Sequence, residues 1–199
     1  GGIGTGLKDA VDAAQAGSII FLVGNYPIKT NTVRINKSLT LTGVNNATLT
    51  GSGTACANSM LLLEEGVTVR ELSINDGPGC TSTNRTLLEI NSSFNILIES
   101  NVLSSGHYGI LVRDNLGSVT VRFNQLEKNA MQALYWDSGT ILAPLVVEAN
   151  NIIGNGSSAN GEQIQCAAGG AVVVNRKANH NYWGSTSIPA QASTHCVIT

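Results

Sequence analysis

The sequence predicts an all-β protein, folded as a single-stranded right-handed parallel β-helix of about six to seven coils with a short N-terminal capping α-helix. Short runs of β-branched and aliphatic residues recur along the 199-residue chain, separated by Gly, Asn, Asp and Ser, which favour tight turns. An asparagine also recurs in successive units, at separations of 23, 27 and 30 residues. Three short strands and three turns need about this length to close one coil.

The recurring asparagines are Asn101, Asn124, Asn151 and Asn181. Stacked coils bring equivalent residues to about 4.8 Å from each other, the spacing of paired strands. At that distance each side-chain amide can donate a hydrogen bond to one neighbour and accept one from the other. We therefore predict a structural asparagine ladder along the stack, with Ser73 in the equivalent place one unit earlier.

The capping helix is predicted over residues 6–16, with Thr5 as its N-cap and Gly17 as its stop. A parallel β-helix exposes strand edges and apolar core at its ends, and these invite aggregation unless something covers them. The face of the helix that would provide this cover carries Leu7, Val11 and Ala14.

A single domain is predicted to span residues 1–199. Its coils occupy residues 18–183, and residues 184–199 form a closing segment in which no helix is expected. Because a stack capped at one end can add a second copy at the other, we expect head-to-tail association into fibres.

Composition narrows the classes of partner. Charged residues make up 12% of the chain, about half the usual share, and the formal net charge is −2. A nucleic-acid partner therefore has little electrostatic support. No run approaches the roughly 18 apolar residues that cross a bilayer, so membrane insertion is not expected.

Cysteine usage predicts a secreted or cell-surface protein. The four cysteines form no C-x-x-C pair, which disfavours a zinc site. Among the three connectivities we favour Cys56–Cys80 and Cys166–Cys196, because each bond would link neighbouring coils or hold the chain end. The alternative is four buried thiols in a cytosolic protein.

Three segments resemble the right-handed parallel β-helix, or pectin-lyase-like, superfamily. Residues 6–28 (GLKDAVDAAQAGSIIFLVGNYPI) resemble the amino-terminal cap and first strand of many members, and residues 35–43 (INKSLTLTG) resemble the segment that usually follows. Residues 181–184 (NYWG) are similar to a motif often found where the coils end in secreted repeat proteins. The resemblance implies the fold but no single activity, because the superfamily includes lyases, hydrolases, epimerases, adhesins and structural proteins.

Lyases of this superfamily use acidic residues that bind calcium and an Arg or Lys as the base. The resemblance makes Asp114, Asp137 and the adjacent Arg113 weak catalytic candidates, because the two aspartates lie one coil apart and could hold a hard cation or shift a pKa. Both aspartates also fit ordinary turns. The other acidic candidates are Glu64, Glu65, Asp76 and Glu89.

His107 is a further weak catalytic candidate, since Gly-His-Tyr-Gly is similar to a hydrolase motif of this fold. The Asp-Asp pair of those hydrolases is missing from the chain, and inverting hydrolysis needs two carboxylates that flank the bond. No cofactor is expected, and calcium would be needed only by a lyase.

Aromatic pairs suggest glycan binding. Tyr135 and Trp136 are adjacent on one predicted strand, so they face opposite sides, and Tyr182 and Trp183 repeat the pattern. An exposed aromatic ring on a flat β face can stack on a sugar, whereas core packing is the alternative for each ring. Five sequons, which would permit glycosylation of an exported protein, begin at Asn36, Asn46, Asn84, Asn91 and Asn155.

The sequence favours a noncatalytic extracellular structural or adhesive protein that self-associates and binds glycans. The alternative is a small lyase that acts on acidic polysaccharide. A groove with three or more carboxylates beside an Arg or Lys would favour the enzyme. A flat face of Ser, Thr, Asn and aliphatic residues would favour the scaffold.

Overall fold

A computed structural model describes residues 6–29, 31–53, 58–77, 85–113, 117–137, 144–156, 163–166, 176–177 and 180–183. The described chain holds one helix, α1 (Gly6–Ala13), and short strands that are nearly all of three to five residues. In chain order the strands are β1 (Ile19–Ile28), β2 (Val33–Ile35), β3 (Leu39–Gly51), β4 (Ser59–Leu63), β5 (Val67–Arg70), β6 (Ser73–Asn75), β7 (Thr86–Ile90), β8 (Ile96–Glu99), β9 (Val102–Ser104), β10 (Ile110–Val112), β11 (Val119–Arg122), β12 (Gln125–Glu127), β13 (Leu134–Trp136), β14 (Leu145–Glu148), β15 (Asn151–Ile153), β16 (Ile164–Cys166) and β17 (Arg176–Lys177).

The strands form a parallel β-helix, which confirms the predicted fold class. All strand pairs are parallel, and each strand pairs with its equivalent in the next coil. One sheet has six strands in the order β16-β13-β10-β7-β4-β2, so six successive coils of the described chain pass through it. The other sheet has eleven strands and bends at β3, whose two halves pair with β5 and β6.

The core lies between these sheets and consists of rows of apolar, mostly aliphatic side chains. Alternate residues of a strand face opposite sides. In each strand of the six-stranded sheet, the residues on either side of the middle one therefore face the core. One inward row runs through Val33, Leu61, Leu88, Ile110, Leu134 and Ile164, and the next through Ile35, Leu63, Ile90, Val112 and Trp136. All of these side chains are buried.

The bend of the large sheet repeats one backbone device. The residue at the corner has a left-handed conformation in each coil, with φ between 53° and 59° at Glu71, Ser100, Phe123, Ala149 and His180. The residue that follows turns into the second arm of the sheet. In four of these coils the left-handed residue stands directly before an asparagine, and the asparagine itself is not left-handed.

The predicted asparagine ladder is present, with Asn150 in place of Asn151. Asn101, Asn124, Asn150 and Asn181 follow the left-handed residues, and the first three are 2% exposed. The Oδ1 of each accepts the backbone N–H of its equivalent one coil earlier, at 2.9 Å for Asn124, Asn150 and Asn181. Asn151 instead starts β15 and pairs with Gln125.

The predicted place of Ser73 in the ladder is also wrong by one residue. Leu72 occupies the ladder position, and its N–H donates to Asn101 Oδ1 at 3.1 Å. Ser73 lies in β6, paired with Val102.

A second ladder, which the sequence analysis missed, lies at the next corner. Its members are Asn129, Asn155 and Gln163, all buried. Asn129 Oδ1 accepts the Gly106 N–H at 3.0 Å, and Asn155 Oδ1 accepts the Asn129 N–H at 3.0 Å. Gln163 Oε1 continues the series by accepting the Asn155 side-chain N–H at 2.8 Å. The separation of 26 residues between Asn129 and Asn155 could have revealed it.

The amino-terminal cap is confirmed, although α1 is shorter than the predicted 6–16. Leu7 and Val11 are buried, and Ala14 packs against the core just beyond the helix. The chain leaves the helix through Gly17, which has a φ of 83°. No helix in the described part of the chain is long and apolar enough to cross a membrane.

Several predictions fall on residues outside the described ranges. Thr5, Cys56, Cys80, Cys196 and the closing segment 184–199 lie there, and of Cys166 only the backbone in β16 is described. The disulfide pairing and head-to-tail association therefore stay predictions.

Candidate functional site

The outer face of the six-stranded sheet carries several of the polar and aromatic candidate residues. The middle residue of each strand faces outward, which stacks Arg34, Leu62, Glu89, Leu111 and Tyr135 in one row. Arg113 and Asp137 follow two residues after Leu111 and Tyr135, so they share this face. Residues far apart in the sequence are thus brought to neighbouring coils.

Arg113 is the centre of an ion cluster. Its Nε donates to Glu89 Oε1 at 2.7 Å, and its Nη1 donates to Asp137 Oδ2 at 2.8 Å. The other Glu89 oxygen accepts a hydrogen bond from the Ser59 hydroxyl. The Arg113 side chain is 46% exposed, so the cluster is accessible to a ligand.

Two tyrosines lie beside this cluster. The rings of Tyr108 and Tyr135 stack with their centroids 5.1 Å apart at an interplanar angle of 20°. The His107 ring meets Tyr108 edge to face at 4.6 Å. The two stacked rings provide a half-buried aromatic surface next to charged hydrogen-bonding groups.

The tyrosine hydroxyls are kept protonated by their surroundings. Burial raises the pKa of Tyr108, and the negative charge of Asp137 raises it further. Burial also raises the pKa of Tyr135, and the negative charge of Asp137 raises it further. Both groups therefore serve as hydrogen-bond donors well into the alkaline range.

A shallow open depression of about 360 Å³ lies at the cluster, near the lower end of the range for ligand pockets. It is lined by Asn58, Thr86, Glu89, His107, Tyr108, Leu111 and Arg113. A second depression of about 500 Å³ lies at the bend of the large sheet beside Asn45, Asn46 and Glu71. Because no aromatic side chain lines the second depression, we take the first as the candidate site.

The structure brings together three of the four weak catalytic candidates. Arg113 and Asp137 bind each other, and His107 lines the same depression. Asp114 lies outside the described residues. Glu89 was one of several acidic candidates in the sequence, and its spacing of 24 residues from Arg113, one coil, is the signal that could have selected it.

The sugar-stacking candidates divide between surface and core. Tyr135 is half-buried and stacks on Tyr108, which lines the depression, whereas Trp136 is fully buried, which corrects its assignment as a sugar platform. Trp183 packs partly buried against the core. Tyr182 is 54% exposed but lies on the large sheet, where it bridges to Asn151.

Three sequon asparagines, Asn36, Asn46 and Asn91, are exposed, and Asn84 lies outside the described residues. Asn155 is buried, with its side-chain amide bonded to Gln163 Oε1 and to Leu126 O at 2.8 Å each. Glycosylation of Asn155 is therefore incompatible with the second ladder, which corrects that candidate.

Among the described residues, no group of three or more His, Cys, Asp or Glu side chains is placed to hold a metal ion. The chain matches no protein-family model, no curated protein and no solved structure.

Proposed function

We propose that this chain is a noncatalytic extracellular β-helix of the pectin-lyase-like superfamily, an adhesive or structural protein that binds glycans on the outer face of its six-stranded sheet. The stacked pair of Tyr108 and Tyr135 beside Arg113 is the observation that supports this function. Aromatic rings pack against the C–H faces of a sugar, while neighbouring polar groups bind its hydroxyls.

The hydrogen bonds of the ion cluster favour binding over catalysis. Glu89 uses one oxygen for Arg113 and the other for Ser59, so it is held as a fixed structural acceptor. Asp137 shares the same guanidinium. Groups that hydrogen bonds hold in place in this way can orient a ligand, and such binding requires no proton transfer to or from the ligand.

Affinity electrophoresis through gels that contain soluble polysaccharides tests the proposal. We expect retardation of the wild-type protein in at least one gel, and at least tenfold weaker binding by Tyr135→Ala. Phe123→Ala is the matched control, because Phe123 is 58% exposed and lies against an arginine on the large sheet. No retardation of wild type, or equal loss in both variants, would contradict glycan binding at this site.

The alternative is a lyase of acidic polysaccharide, favoured by the contact between Arg113 and Asp137. Incubation with polyuronates, with and without calcium, would then release unsaturated products that absorb ultraviolet light. If unsaturated products form and either Asp137→Ala or Asp114→Ala abolishes their formation, the lyase function replaces the binding proposal.

A further inference from the structure

The charges around the depression indicate which sugars it accepts. Glu89 and Asp137 contribute two negative charges, and Arg113 contributes one positive charge that both carboxylates already neutralise. The nearby Arg34 is likewise paired, through Nη2 to Glu64 Oε1 at 2.5 Å and through Nε to Glu64 Oε2 at 3.2 Å. The described ion pairs of this face therefore sum to a net charge of −1.

A sugar carboxylate would meet an unfavourable field at this site. To bind Arg113 it would have to use Nη2 or displace Glu89 or Asp137, and in either case it would lie close to a carboxylate of the protein. Like charges at such short range repel, and the repulsion grows where solvent is partly excluded.

Sugar hydroxyls carry no such penalty. A hydroxyl can accept a hydrogen bond from a guanidinium N–H and donate one to a carboxylate oxygen at the same time. Arg113 Nη2 has no hydrogen-bond partner among the described residues, and the same guanidinium is bonded to the carboxylates of Glu89 and Asp137, which are good acceptors. Vicinal hydroxyls of an uncharged ring satisfy both kinds of group while the ring packs on the tyrosines.

We infer that the site is selective for uncharged saccharides over uronic acids, with Glu89 and Asp137 as the specificity-determining residues. This inference rests on the proposed glycan-binding function. It also makes a prediction opposite to that of the lyase alternative, which requires an acidic polysaccharide.

The test compares one polyuronate with the neutral polymer obtained by reducing its carboxyl groups, so that linkage and length are shared. Isothermal titration calorimetry at low ionic strength should show at least tenfold tighter binding of the neutral polymer. The double variant Glu89→Gln/Asp137→Asn keeps the side-chain shapes and should reduce this preference to less than threefold. Glu99→Gln is the matched control, because Glu99 is paired with Arg122 on the other sheet at 2.8 Å.

Tighter binding of the polyuronate by wild type would overturn the inference while leaving glycan binding intact. An unchanged preference in the folded double variant would also overturn it. If protein with a native circular dichroism spectrum bound neither polymer, the result would count against the inference and against glycan binding at this site. Retardation in the wider panel of polysaccharide gels would then show that only the inference fails.

Discussion

The side-chain oxygen of Asn150 accepts hydrogen bonds from both the backbone N–H of Asn124, at 2.9 Å, and its side-chain Nδ2, at 3.0 Å. Asn150 Nδ2 in turn donates to Val121 O at 2.9 Å and to Asn181 Oδ1 at 3.0 Å. One side chain thus joins three successive coils at a corner where the backbone N–H groups of Asn124 and Asn150 bind side-chain oxygens and not backbone carbonyls.

Replacing Asn150 by Ala should destabilise the protein by about 2–4 kcal/mol, because buried donors and acceptors in two coils lose their partners. Asn151→Ala, one residue away on the outer face of β15, should cost less than about 1 kcal/mol. Urea unfolding followed by circular dichroism measures both free energies. Equal losses in the two variants would show that the ladder contributes little to stability.

Arg85 should be essential to the fold although it is charged. Its side chain is fully buried, and it donates to Asp76 Oδ1 at 3.3 Å and to the carbonyls of Ile28 and Lys29 at 3.0 and 3.1 Å. Arg85→Met should destabilise by about 3–5 kcal/mol, because it leaves two carbonyls and the largely buried carboxylate of Asp76, 10% exposed, without their donor.

The double variant Asp76→Asn/Arg85→Met separates the cost of the unpaired charge from that of the lost packing. We expect it to recover part of the stability that Arg85→Met loses, as measured by thermal unfolding. A double variant that is less stable than Arg85→Met would contradict this explanation.

Truncation of two neighbouring residues of β13 should affect mainly stability at Trp136 and mainly glycan binding at Tyr135. Trp136→Ala removes a fully buried indole and should cost about 3–5 kcal/mol. Tyr135→Ala removes a half-buried ring and should cost about 1 kcal/mol while weakening glycan binding. Chemical unfolding and the polysaccharide gels measure the two effects, and a larger loss of stability in Tyr135→Ala would reverse the assignment of the two faces.

The stability of the protein should decline in alkali because of its stacked tyrosines. The folded state raises the pKa of Tyr108 and Tyr135 above the ordinary value of about 10, so it favours the neutral phenols. Their contribution is complete below about pH 10 and is lost as the pH rises through the raised pKa values, by up to about 1.4 kcal/mol per pH unit for each group.

The variant Tyr108→Phe/Tyr135→Phe should show a shallower alkaline decline than wild type. Unfolding free energies measured at successive alkaline pH values, with titration of phenolate absorbance in parallel, provide the test. Coincident profiles for the two proteins would exclude a contribution from this pair.

Local patterns predicted the repeat, the cap and the fold class. Asn101, Asn124 and Asn181 were placed in the ladder correctly because asparagine recurs at intervals of about one coil. Asn150 and Asn151 are both asparagines, so composition could not tell which one faces inward. The choice depends on the register of β15 against β12, since a shift of one residue moves every side chain to the opposite face.

The amino-acid sequence alone therefore determined that the chain winds in coils of some two dozen residues, because strand propensity and turn chemistry act over a few residues. Only the tertiary structure decided that Tyr108 stacks on Tyr135, that Glu89 and Asp137 share Arg113, and that Arg85 is buried. The contacts of Tyr108 with Tyr135 and of Arg113 with Glu89 and Asp137 join different coils, so their partners follow from the register in which the coils stack.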